Sequence, residues 1–134
     1  MAGVIFDTTE LIAAERAGQM NALLAGDDVA IAAITLAELQ AGVVAAERRG
    51  VNRAVLEYQR GFLTEVARRF QVLPYTRQTA MEHAELLDHS HAAGKPRGRH
   101  DLIIAAHARE TGRMIVSTDR KARFADLPGV RVRD

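Results

Sequence analysis

The chain has 134 residues and carries 18 Lys and Arg against 17 Asp and Glu. That length suits one domain, 1–134, able to bury roughly two-thirds of the surface its unfolded chain exposes, and 48% apolar residues argue against disorder. The absence of cysteine excludes disulfides, thiolate catalysis and a cysteine zinc site, and 4% aromatics leave an aliphatic core with little scope for holding RNA by base stacking.

The elements follow in chain order. Val4-Ile5-Phe6 is a short apolar run ending at Asp7 and reads as a buried strand. Thr8 or Thr9 can cap a helix over about 9–17, which Gly18 stops, and a short helix over 19–25 follows. Val29 to Ile34 is the second strand. Thr35 then caps a helix over 36–48, with Leu36, Leu39, Val43 and Val44 as its apolar stripe. A long helix spans 52–69, with Val55, Leu56, Phe62, Leu63 and Val66 inward. Val72-Leu73 is a third strand, and Thr76 caps a helix over 77–93.

Residues 94–99 form a basic loop containing two glycines and a proline. Asp101 opens a helix to about 111, ended by Gly112. Met114-Ile115-Val116 and Val130-Arg131-Val132 are strands four and five. Strands separated by helices predict an α/β fold with a mostly parallel central sheet of about five strands flanked by helices.

Charge is distributed unevenly. Residues 95–133 hold 10 basic and 4 acidic side chains, so the C-terminal third is a candidate surface for a polyanion. The start MAGVIFD has no basic segment followed by an apolar stretch, and no apolar run approaches the roughly 20 residues that span a bilayer. A cytoplasmic location without a membrane partner is the expectation.

Four acids stand where chemistry is expected. Asp7 ends the first strand, and Asp119 follows the fourth; in an open α/β sheet, sites form outside the carboxyl ends of strands. Glu38 and Asp101 lie in first helical turns that can face the same edge. Crowded carboxylates repel, and with no Cys and no convincing His set their natural neutraliser is a hard divalent cation, Mg²⁺ or Mn²⁺. Such an ion polarises a phosphodiester and acidifies water without a protein nucleophile. Taken singly, each acid is as readily a helix cap, a turn residue or solvated surface; the joint pattern carries the reading.

Four stretches in order give the chain its resemblance to a known family: Val4-Ile5-Phe6-Asp7-Thr8-Thr9 with Leu11-Ile12; Thr35-Leu36-Ala37-Glu38-Leu39 with Gly42; Asp101-Leu102-Ile103-Ile104-Ala105-Ala106-His107-Ala108; and Ser117-Thr118-Asp119 with Phe124. The chain resembles the PIN-domain family and, within it, the VapC-like toxins of toxin–antitoxin pairs. The resemblance implies a PIN fold and an endoribonuclease in which Asp7, Glu38, Asp101 and Asp119 hold Mg²⁺ or Mn²⁺ and hydrolyse RNA. It also implies a homodimer and a VapB-like antitoxin that wraps the toxin and plugs its site.

Thr9 and Ser117 stand where relatives often carry Ser and Thr, and keep hydroxyls beside the acids. With Arg97, Arg99 and Arg120 they are the candidate substrate contacts; Lys121 and Arg123 lie in the same loops. His100, beside Asp101, is either a substrate contact or a surface residue, and His107 reads as structural. The 36–48 and 52–69 helices are either a clip for a partner or ordinary core. Two other functions compete: an Asp7-based phosphatase, against which Thr9 counts because that chemistry wants a second acid there, and a metal-binding α/β module without hydrolysis.

Overall fold

The computed structural model describes residues 3–26, 28–94 and 97–133. Its strands are β1 (Val4–Phe6), β2 (Val29–Ala32), β3 (Gln71–Leu73), β4 (Met114–Val116) and β5 (Val132–Arg133). Its helices are α1 (Thr8–Arg16), α2 (Met20–Gly26), α3 (Ala33–Arg49), α4 (Arg53–Arg69), α5 (Arg77–Ala92) and α6 (Arg99–Thr111), with a 3₁₀ turn at Phe124–Asp126. All strand pairs are parallel, in the order β3-β2-β1-β4-β5. The fold is therefore the parallel α/β sheet read from the sequence.

Strand alternation divides the core in two. Ile5, Ala30, Ala32, Leu73 and Ile115 pack on Leu86 of α5 and on the apolar face of α6. Val4, Phe6, Val29, Ile31 and Val116 pack on α1, α2 and α4, with Leu36 and Leu39 of α3 joining from the edge. The α6 face contributes Leu102, Ile104, Ala105, Ala106 and Ala108 to the first of these layers.

Several boundaries differ from expectation. Asp7, not Thr8 or Thr9, caps α1: its carboxylate accepts from Glu10 N at 2.8 Å. Thr35 caps nothing; α3 starts directly from β2 at Ala33, and Thr35 is buried in its first turn. The α6 helix starts at Arg99, so Asp101 lies within its first turn instead of opening it. Strand β5 lies at 132–133, beyond the Val130 start. Thr76 does cap α5, and exchanges hydrogen bonds with Thr79 in both directions. Of the expected inner residues, Val44 and Val55 are exposed. Lys95 and Pro96 of the basic loop lie outside the described residues.

His107 is structural: it is 1% exposed, edge-on to Tyr75 at 6.5 Å and 3.8 Å from Glu110 Oε2. Burial pushes its pKa down from 6.5, and burial does the same to His83. A histidine with a depressed folded pKa supplies stability above its unfolded pKa and loses it as pH falls. Urea midpoints should therefore fall as pH drops below about 6.5, and His107→Leu should flatten that slope. An unchanged slope in the variant would exclude His107 as the source.

Candidate active site

The sheet order reverses between β1 and β4: successive strands β1, β2 and β3 run one way from the centre, β4 and β5 the other. The loops leaving the carboxyl ends of these two central strands part there and open a crevice. Asp7 leaves β1 and Asp119 leaves β4 at this point.

Asp7 is 3% exposed. One oxygen takes the Glu10 N–H, and the other accepts from Ser117 Oγ. Ser117 Oγ in turn accepts from Asp119 N at 3.1 Å, so one buried hydroxyl links the two loops. Burial pushes the Asp7 carboxyl above the ordinary aspartate value. The Ser117 and Glu10 hydrogen bonds pull it back in part, while the charges of Glu10 and Asp119 add to the rise. Asp7 thus serves as helix cap and as buried charge together.

Asp101 projects from the first turn of α6 over Gly98. A methyl group at Gly98 would come within 3.1 Å of Asp101 Oδ2, so glycine there leaves room for the carboxylate. Burial first, then the charges of Asp119, Asp7 and Glu38, raise the Asp101 pKa; His100 opposes them. The structure thus brings all four sequence-predicted acids within electrostatic range at one edge of the sheet. Glu38, on α3, accepts from Thr8 Oγ1 at 2.7 Å and lies 3.1 Å from His100 Nδ1.

The candidate substrate contacts divide. Ser117 is buried on Asp7 and acts as a linker. Arg97 donates from Nη1 to the carbonyls of Ala122 and Arg123, tying the approach to α6 to the loop after β4. Thr9 and Arg99 are exposed, and Arg99 borders a cleft with His83, Leu87 and His91 of α5. Arg120 lines a cleft of about 370 Å³ with Ser117, Thr118, Asp119 and Arg123. Elsewhere, the basic C-terminal third is engaged in the fold: Arg109 pairs with Glu82 and Glu85, Arg131 donates to Gly112 O, and Arg113 is buried. The polyanion surface contracts to the residues around Arg99 and Arg120–Arg123.

Sequence reasoning missed Thr8 and Arg113. Thr8 was within reach, since a hydroxyl beside the first acid is visible in Asp7-Thr8-Thr9; nothing in the sequence marks Arg113.

Among the described residues, no three acidic or imidazole groups stand gathered as a formed ion site. Glu38 contacts Thr8 and His100, and Asp119 Oδ1 accepts from Lys121 N at 2.9 Å. The donor set nevertheless fits a hard divalent cation. The four carboxylates offer oxygen alone, and the upward push that three of them exert on Asp101 is the excess negative field that such an ion relieves.

A second cleft, about 420 Å³, runs from Thr8 and Glu38 between α1, α3 and α4. Its lining includes the apolar Ile12, Leu39, Val43, Val55 and Phe62, with Arg16 and Arg49 among its charged residues. Val55 and Tyr58 on this cleft are 44% and 60% exposed, a concentration of apolar surface that ordinary core packing does not explain.

A family model described as PIN domain matches residues 4–130. The chain is 34% identical over 104 residues to a tRNA(fMet)-specific endonuclease VapC of Salmonella typhimurium, covering 78% of this chain and 73% of that one. It is 34% identical over 128 residues to ribonuclease VapC5 of Mycobacterium tuberculosis, covering 96% and 89%. Among solved structures it resembles VapBC-5 of Mycobacterium tuberculosis, a member of the VapBC family of toxin–antitoxin systems, with TM-score 0.75, 30% identity, and coverage of 98% and 100%. It also resembles a DNA-bound VapBC of Salmonella typhimurium, with TM-score 0.78, 26% identity, and coverage of 100% and 98%.

Proposed function

Because the chain belongs to the PIN-domain family, we propose that it is a VapC-like toxin: an endoribonuclease restrained by a VapB-like antitoxin, with 1–134 as its single nuclease domain. The observation that carries this reading is the convergence of Asp7, Glu38, Asp101 and Asp119 at the reversal point of the sheet, with Arg120 and Arg123 beside Asp119. The relatives' names, endonuclease and ribonuclease, supply the reaction class.

In this reading Asp7, Glu38, Asp101 and Asp119 hold Mg²⁺ or Mn²⁺. The ion supplies Lewis acidity toward the phosphodiester and a lowered pKa for attacking water. The chain's own residues do the rest. Ser117 fixes the Asp7 carboxylate and, through Asp119 N, the loop carrying the last acid. Arg99, Arg120, Lys121 and Arg123 flank the acids with positive charge and hold the RNA backbone on either side of the scissile bond. A phosphatase reading is weaker, because Asp7 is buried under two hydrogen bonds and is poorly disposed as a nucleophile.

The purified protein should cut RNA to leave 5′-phosphate and 3′-hydroxyl ends. Chelation should stop cleavage, and added Mn²⁺ or Mg²⁺ should restore it. Cleavage that persists at full rate after exhaustive chelation, or 2′,3′-cyclic phosphate ends, would exclude the mechanism.

The apolar cleft beside Glu38 suits the antitoxin. A segment lying over Ile12, Leu39, Val55 and Phe62 would cover the approach to the acids, and a basic residue on it would answer their charge. Val55→Glu should weaken antitoxin binding by about tenfold or more, the scale of a central apolar contact, while cleavage persists. Undiminished affinity by calorimetry would move the interface elsewhere. The homodimer remains part of this proposal and is testable by sedimentation without antitoxin.

A further inference from the structure

Glu38 is held at both of its oxygens. Oε1 accepts from Thr8 Oγ1 at 2.7 Å, and Oε2 lies 3.1 Å from His100 Nδ1. Nδ1 meets Oε2 as a donor whenever it carries the ring hydrogen. The two donors arrive from different segments: Thr8 begins α1, His100 lies in the first turn of α6, and Glu38 belongs to α3. Three helices therefore meet on one side chain. Thr8 Oγ1 also lies 3.4 Å from Thr35 Oγ1, which is fully buried one turn before Glu38 and anchors that side of the arrangement.

Glutamate has three rotatable bonds, and without such partners a side chain at this position would sample many placements. Each carboxylate oxygen has two lone-pair sites, so one hydrogen bond per oxygen leaves room for a cation on either. Outer partners of this kind orient ligating carboxylates and raise their effective affinity. His100 contacts Glu38, and it is through that side chain that it acts.

We infer that His100, with Thr8 opposite, is a positioning residue that holds the Glu38 carboxylate ready for the divalent cation. The inference rests on the reading of Glu38 as a ligand. His100 is 46% exposed in its side chain, so its replacement leaves the core intact.

The test is direct Mn²⁺ binding to the full chain, read from the electron paramagnetic resonance signal of free Mn²⁺, with melting temperatures as a fold control. His100→Ala and Thr8→Val should each weaken Mn²⁺ binding by about tenfold. His100→Asn, which keeps an N–H donor near the place of Nδ1, should recover most of that loss. In a Glu38→Ala background, His100→Ala should add nothing. Wild-type affinity in His100→Ala, or a full further loss in the Glu38→Ala background, would overturn the clamp while leaving the metal reading in place. A wild-type protein that binds no Mn²⁺ would instead remove the metal reading, and the clamp with it.

Discussion

Asp101→Asn should raise the melting temperature at neutral pH and abolish cleavage in the same protein. The Asp101 carboxyl is partly buried, and three other carboxylates push its pKa above the ordinary value of 3.8. A carboxyl whose folded pKa is raised supplies stability below its unfolded pKa and loses it as pH rises through the folded one. At neutral pH the ionised group therefore costs stability, and the neutral amide removes that cost without changing shape. The melting temperature should rise by a few degrees, since one kcal/mol is worth about 3–5 °C in a chain of this size.

The gain should shrink as pH falls through the raised folded pKa and vanish well below 3.8, where wild-type Asp101 is neutral in both states. Cleavage should fall by on the order of 10³-fold, in line with the loss of one group stabilising developing charge. Asp7→Asn should be as inactive. Added Mn²⁺ should raise the melting temperature of wild type far more than that of either variant. A variant that melts lower than wild type at neutral pH, or that cuts RNA as well, would contradict the account of Asp101.

Arg113→Ala should be among the most destabilising single changes in the chain, at a site far from the chemistry. Arg113 is 7% exposed and precedes β4, at the amino edge of the sheet. Its guanidinium donates to Val4 O at 3.1 Å and Asp28 O at 3.0 Å, to both Asp28 carboxylate oxygens, and to Gln71 Oε1. One side chain thus joins the starts of β1, β2, β3 and β4.

The Asp28 carboxylate is 58% exposed, so its ion pair contributes little by itself. The larger effect comes from the charged donor that Val4 O and Asp28 O lose near the core, although Asp28 O keeps the Val4 N–H at 2.9 Å. Losing these charge-assisted hydrogen bonds together costs roughly 2–4 kcal/mol. Arg113→Lys should recover only part, because a single ammonium cannot reproduce the fork. Urea unfolding measures this directly; a loss below about 0.5 kcal/mol, typical of a surface change, would show that the network contributes little.

The fold was legible where periodicity is simple. Runs such as Val4-Ile5-Phe6 and Met114-Ile115-Val116 are short, apolar and bounded by polar residues, and parallel buried strands look like that. Helix starts were less legible, because several residues compete for each cap. Asp7, Thr8 and Thr9 can all cap, and the strand's end places Asp7 at the right backbone angle. Val55 and Val44 misled because an apolar residue on an amphipathic helix reads as core whether it faces the sheet, a groove or solvent.

The four acids were legible through chain position relative to strand ends. Their partners were not, because Ser117, Thr8 and His100 matter through contacts spanning 110, 30 and 62 positions of sequence. Arg97 shows the reverse: its charge suggested phosphate binding, while its Nη1 also donates to two backbone carbonyls that nothing in the sequence signals.

That tether has a mechanical consequence. With Arg97 fastened to the carbonyls of residues 122 and 123, the segment entering α6 and the loop after β4 are stapled into one stiff lip. Thr118 Oγ1 bonds Glu10 Oε2 at 3.0 Å and anchors that lip to α1 as well. Any widening of the crevice is thereby left to the opposite jaw, where α3 and α4 border the open groove beside Glu38.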